Sequence, residues 1–295
     1  MQEMLKLAAL AFLPAGLLAT LCFAAGWIWR RNEVEARCCS FGPDWGALGV
    51  TVAFLWGYLV INQTWLPNPS RGIIHWLPYF VILGAVLGPA TRCCSRAFLP
   101  SALGITLVLL ILFFVKIAPA YPTWSVGQQI LAFGGTGLLV LLVTFANLRP
   151  RIGELGAWKV FLTYGLVVAA TIPSFFIAGS SKWAQVVGII GITCIPGFLI
   201  AVARGAKLGL AGGFQLATVV WSLLVYVYFF TDYLPLGAFL IFLIGPPLAL
   251  QILSRIDSSP KQTTWQIATL VGLAVLSAVA VAMTKAAAPP PSPYL

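Results

Sequence analysis

HWLPYFVILGAVLGPATRCCSRAFLPSALGITLVLLILFFVKIA, residues 75–118, contains two apolar runs, 75–91 and 99–118. Only Arg92-Cys93-Cys94-Ser95-Arg96-Ala97-Phe98 separates them. Each run approaches the ~20 residues with which an α-helix crosses the ~30 Å hydrocarbon core of a bilayer. In lipid, every backbone N–H and C=O has to pair within the protein, and an α-helix does so within a single segment. The link between the runs is short and carries two arginines. The stretch therefore reads as a membrane-inserted helical hairpin with its turn at a basic, water-facing surface.

The same reading extends in both directions. Apolar segments fall at 5–29, 45–65, 75–91, 99–118, 127–147, 156–178, 185–203, 210–230, 235–253 and 265–284, each bounded by turn formers or charges. Across the 295 residues, 60% are hydrophobic and 8% charged, and the mean hydropathy is +0.98. A soluble domain carries about 25% charged residues, so this sequence lacks a polar coat for water. Ten spans use about 200 residues and leave no loop long enough for a soluble domain. The expected fold is an all-α, polytopic integral membrane helical bundle of about ten transmembrane helices, a single domain over 1–285. A Pro-rich tail, 286–295, follows; its Pro289-Pro290-Pro291-Ser292-Pro293 cannot continue a helix.

Charge placement predicts orientation. Arg30, Arg31, Arg37, Arg92, Arg96, Arg149, Arg151, Lys159, Arg204, Lys207, Arg255 and Lys261 lie on the side of the odd-numbered loops. Lys6, Arg71, Lys116, Lys182 and Lys285 lie on the other. Cytoplasmic loops collect Lys and Arg, so both termini are expected on the non-cytoplasmic side, most simply of the cell (inner) membrane. The same bias accounts for the net charge of +10, and no nucleic-acid partner is called for. The N-terminal end of the first segment carries one Glu and one Lys, Glu3 and Lys6, and its far flank Arg30, Arg31 and Arg37; that asymmetry suits a retained span and not a cleaved signal peptide. Most tryptophans fall at predicted span ends, where indole sits well; Trp56 and Trp221 fall mid-span.

A literal repeat runs through the quoted hairpin. Arg92-Cys93-Cys94-Ser95 repeats Arg37-Cys38-Cys39-Ser40, and Ala102-Leu103-Gly104-Ile105-Thr106 follows Ala47-Leu48-Gly49-Val50-Thr51 in register. Both copies open a span running outward, so the repeat unit is expected to be a helical hairpin.

Chemically, the sequence excludes more than it offers. Ionisable groups inside a bilayer mark ion paths and proton relays, yet Glu3, Glu33, Glu35, Asp44, Glu154, Asp232 and Asp257 all lie at span ends or in loops. A carboxylate-driven proton carrier and a voltage sensor are thereby disfavoured. His75 is the only histidine and reads as an interfacial anchor beside Trp76; no catalytic constellation is expected, and no cofactor. Cys38, Cys39, Cys93 and Cys94 would share the cytoplasmic face and could bring four thiols together for a soft metal. Adjacent cysteines fit zinc spacing poorly, so reduced thiols packed at the interface are the simpler reading.

Two features could line a path. Gln128 and Gln215 are uncharged polar residues in or near spans. Pro173, Pro196 and Pro246, like Pro14 and Pro247, interrupt helical hydrogen bonding and free carbonyls, as the broken helices of transporters do. Gly134-Gly135-Thr136-Gly137 and Gly212-Gly213 would admit a close neighbour. The sequence thus supports two expectations: a transporter or permease for a neutral or zwitterionic solute, or a non-catalytic subunit or scaffold of a membrane complex. The partners are the lipid bilayer and either other membrane proteins or further copies of the chain.

Overall fold

A computed structural model of the chain describes residues 2–32, 45–63, 75, 77–79, 81–82, 85, 124–147, 155–177, 181–205, 209–230, 234–256 and 262–288. Eight long helices account for nearly all of them: α1 (Gln2–Asn32), α2 (Trp45–Asn62), α3 (Val126–Asn147), α4 (Ala157–Ile177), α5 (Ser181–Arg204), α6 (Gly209–Phe230), α7 (Leu236–Ile256) and α8 (Gln262–Ala287). They match eight of the ten apolar segments, with Ser181 against the expected 185 the largest shift at an end. Of the third segment, only His75, Leu77–Tyr79, Val81, Ile82 and Ala85 are described; the fourth lies outside the described residues. Six helices (within α1, and α2, α4, α5, α7 and α8) are long and apolar enough to cross a membrane. The protein is an all-α bundle of membrane-spanning character.

Helix ends pack in an antiparallel order. At one end of the bundle, Trp183 at the start of α5 meets Tyr226 near the end of α6, with ring centroids 4.4 Å apart. Phe239 at the start of α7 stacks on Tyr228, and Trp124, just before α3, packs on Phe229. At the opposite end, Phe23 of α1 meets Phe161 of α4 at 5.2 Å. Tyr58, near the end of α2, lies within electrostatic reach of Tyr226. α2 therefore ends, and α3 begins, at the same end of the bundle.

The outer helices turn their largest apolar side chains away from the protein. On α1, Leu10, Leu13, Leu17 and Leu21 are exposed, Leu17 at 64%, while Ala11, Ala15 and Ala19 are at 0%. On α8, Val271, Val275, Leu276 and Val279 are exposed, whereas Gln266, Ser277, Ala280 and Thr284 are buried. In water this arrangement would be inside out. In lipid, leucine gains little by leaving the acyl chains, and small residues let helix backbones approach closely.

Glycine serves the same end at the tightest crossings. A Cβ on Gly57 of α2 would collide with the Ile189 side chain of α5, and one on Gly197 of α5 would lie 2.5–2.6 Å from the Phe161 ring. Five buried hydroxyls are paired locally: Thr51, Thr171, Ser174, Thr193 and Thr284 each donate to the carbonyl four residues earlier, at 2.6–3.0 Å. Such back-bonding lets a hydroxyl enter an apolar interior without losing a hydrogen bond.

One contact joins a helix break to a misplaced tryptophan. Pro14 has no N–H, so the carbonyl of Leu10 four residues earlier loses its helical donor. The indole Nε1 of Trp56 donates to that oxygen at 3.0 Å. Trp56 sits mid-span because it fills a backbone vacancy in the neighbouring helix.

Candidate functional site

Among the described helices α6 is the most deeply enclosed: every residue from Gln215 through Val225 is buried. It packs against α2, α3, α4, α5 and α7. An apolar surface all round suits such a position, yet α6 carries Gln215, Thr218, Ser222 and Tyr226 at spacings of three, four and four residues. That spacing places the four on one face of a 3.6-residue helix. At ~1.5 Å per residue the polar face extends about 16 Å along the helix, roughly half the hydrocarbon thickness.

The face has counterparts on two neighbouring elements. The Gln215 Nε2 donates to Thr51 Oγ1 of α2 at 2.9 Å and to the backbone oxygen of Val81 in the third segment at 2.6 Å. Seven residues beyond Thr51, the fully buried Tyr58 brings its hydroxyl to 3.2 Å from His75 Nδ1. With the imidazole neutral and its proton on Nε2, the hydroxyl donates to Nδ1. The two rings meet edge to face, with centroids 6.5 Å apart. α2, the third segment and α6 thus share a polar seam, from Gln215 and Thr51 at one level to Tyr58, His75 and Tyr226 at the other.

The seam contains an unsatisfied group. Gln215 is 0% exposed, and its Oε1 has no hydrogen-bond partner. Exchanging the amide N and O does not help, because the Val81 carbonyl would then face another acceptor at 2.6 Å. A buried polar atom left without a partner costs about 1–3 kcal/mol. Trp221 Nε1 of α6 and Thr163 Oγ1 of α4 are likewise buried without partners.

The residues singled out from sequence lie apart. Gln215 is central, in the seam. Gln128 is exposed at the start of α3, where its Oε1 accepts from the Ser125 N–H at 2.9 Å and hydroxyl at 3.1 Å. In return the Gln128 N–H donates to Ser125 Oγ at 3.3 Å. This reciprocal pair is a capping box that closes the helix N-terminus. Because Trp124 packs on Phe229, Gln128 sits near the far end of α6, about 21 Å along it from Gln215 at ~1.5 Å per residue. The two glutamines do not meet.

Pro173 of α4 and Pro196 of α5 are half-buried, and Pro246 and Pro247 of α7 are buried. α7 also packs against α6, but none of these four prolines lies on α2, the third segment or α6. Cys38, Cys39, Cys93 and Cys94 lie outside the described residues, as does the repeat beyond Ala47-Leu48-Gly49-Val50-Thr51 of α2. The described cysteines, Cys22 and Cys194, are free thiols. Among the described residues no three His, Cys, Asp or Glu side chains converge to hold a metal.

Sequence reading passed over Thr51 and Tyr58 and took His75 for an anchor. The available signal was the spacing of hydroxyls on each helix: Thr51 to Tyr58 on α2, and Thr218 to Ser222 to Tyr226 on α6. No family model matches the chain, and neither a curated protein nor a solved structure matches it.

Proposed function

We propose that the chain is a permease of the cell (inner) membrane, with ten spans and both termini on the non-cytoplasmic side. In this reading it passes a small neutral or zwitterionic solute along the seam between α2, the third segment and α6. The observation that carries it is the polar face of α6, buried at the centre of an apolar bundle and ending on an unsatisfied acceptor. A helix that only packed would gain nothing from a buried glutamine oxygen without a donor. Neither α2 nor α6 contains an ionisable Asp, Glu, Lys, Arg or His, which suits passage without ion coupling. Orientation rests on the loop charges.

The test is flux in proteoliposomes, read by light scattering or tracer uptake, over glycerol, urea and glycine. At least one solute is expected to equilibrate several-fold faster than in protein-free vesicles. Indistinguishable rates for the whole panel would overturn the permease reading.

A second reading, a non-catalytic subunit of a membrane complex, is favoured by α3. There Gly134 and Gly135 are exposed with no atom within 4 Å of a Cβ. Glycine in an open helix face lowers helix stability and is retained where another helix packs closely. A stoichiometric partner that survives purification in mild detergent would support this reading; a solitary particle would count against it.

A further inference from the structure

We infer that Gln215 Oε1 is the recognition atom of a binding position inside the bundle, and that its ligand is an uncharged solute offering an N–H or O–H. The inference rests on the permease reading and names the chemistry of its solute.

A glutamine side chain has two N–H donors and one oxygen acceptor. Both donors are engaged, one by Thr51 Oγ1 at 2.9 Å and one by the Val81 carbonyl at 2.6 Å. Thr51 in turn donates its proton to the Ala47 carbonyl at 2.8 Å, so it has none to return to the glutamine. The carboxamide is held by two elements distant in sequence, its orientation is fixed by the Val81 carbonyl, and its oxygen is left with its lone pairs open. The site is an acceptor already in place, and what completes it has to donate.

The same surroundings select against charge. The helices that hold the carboxamide, Trp45–Asn62 and Gly209–Phe230, carry no charged side chain, and the third segment has only His75, near the seam's other end. A cation at Gln215 would lie in a low-dielectric interior where α2, the third segment and α6 supply no carboxylate, and an anion would face an acceptor. An alcohol, an amide or a urea meets both conditions. An ether or a fully alkylated amide of the same size does not.

The experiment uses the full chain in liposomes with its glutamine side-chain carbonyls labelled with carbon-13. Infrared spectra of Gln215→Met are subtracted to isolate the Gln215 carbonyl stretch. The probes are ethylene glycol, which has O–H donors, and 1,2-dimethoxyethane, which has the same O–C–C–O core with both hydroxyls methylated and so no donor. Neither absorbs in the carbonyl region.

Ethylene glycol is expected to move the band to lower wavenumber, as a newly accepted hydrogen bond does, and dimethoxyethane to leave it in place. An equal response to both probes, or to neither, overturns the inference. So does a band already at the hydrogen-bonded position in buffer and indifferent to solutes, which would assign the oxygen to resident water. Should Gln215→Met fail to fold, Gln215→Asn supplies the reference, and the comparison between the two probes on the unaltered protein decides the matter. A band that responds in a protein without solute flux leaves the binding position standing and removes the permease. Flux with an unresponsive band does the reverse.

Discussion

Trp56 and Gln215 are both polar groups placed where lipid or packed side chains would be expected, and they differ in how their hydrogen bonds close. Trp56 closes one: its indole N–H meets the Leu10 carbonyl that Pro14 leaves without a helical donor. Removing the donor with Trp56→Phe is expected to lower stability in detergent by about 1 kcal/mol, the net worth of a typical intramolecular hydrogen bond. Restoring the helical donor with Pro14→Ala should shrink that loss, which a double-mutant cycle of unfolding midpoints measures. An equal loss in both backgrounds would show that Trp56 acts through packing alone. Gln215 leaves its oxygen open instead, at 0% exposure.

At the scale of helices, contact is governed by the size of the residue at each crossing. Where α5 crosses the start of α4, Gly197 faces the Phe161 ring with no room for a Cβ. Gly197→Ala is expected to force the ring aside and cost about 1–3 kcal/mol. At Gly213 of α6, where nothing lies within 4 Å, the same change is expected to be neutral or to add up to about 1 kcal/mol through helix propensity. Thermal unfolding of the two variants side by side checks both. α3 shows a different device: Ser125 and Gln128 cap its N-terminus within four residues of chain. That arrangement is legible in the sequence, because a Ser-x-x-Gln signature is local, and it gives Gln128 a capping role where its polarity alone suggests a path.

For the molecule as a whole, the loop charges bear on sidedness. In the proposed orientation, Cys38, Cys39, Cys93 and Cys94 would face the cytoplasm. A thiol reagent that cannot cross membranes should leave those four unlabelled in intact cells and label them after permeabilisation, as mass spectrometry of the peptides would show. Labelling in intact cells would reverse the orientation. The bundle's lipid-facing surface is consistent in kind with the membrane setting: α1 and α8 present leucine and valine outward and keep alanine, serine and threonine within.

The sequence alone determined that the chain is helical and membrane-embedded, and where eight of its helices run. Both follow from local physics: unbroken apolar runs of spanning length must satisfy their own backbone in lipid. It determined the hairpin form of the quoted stretch as an expectation only, since most of 75–118 lies outside the described residues. Which helix faces would be inside was beyond it, because lipid and protein core are equally apolar and hydropathy does not separate Leu17 from Ala15. The polar seam was also beyond it, since Gln215 meets Thr51 and Val81 across 164 and 134 residues of chain. Only tertiary packing brought those groups together, by burying α6 on all sides and leaving one glutamine oxygen with no partner in the protein.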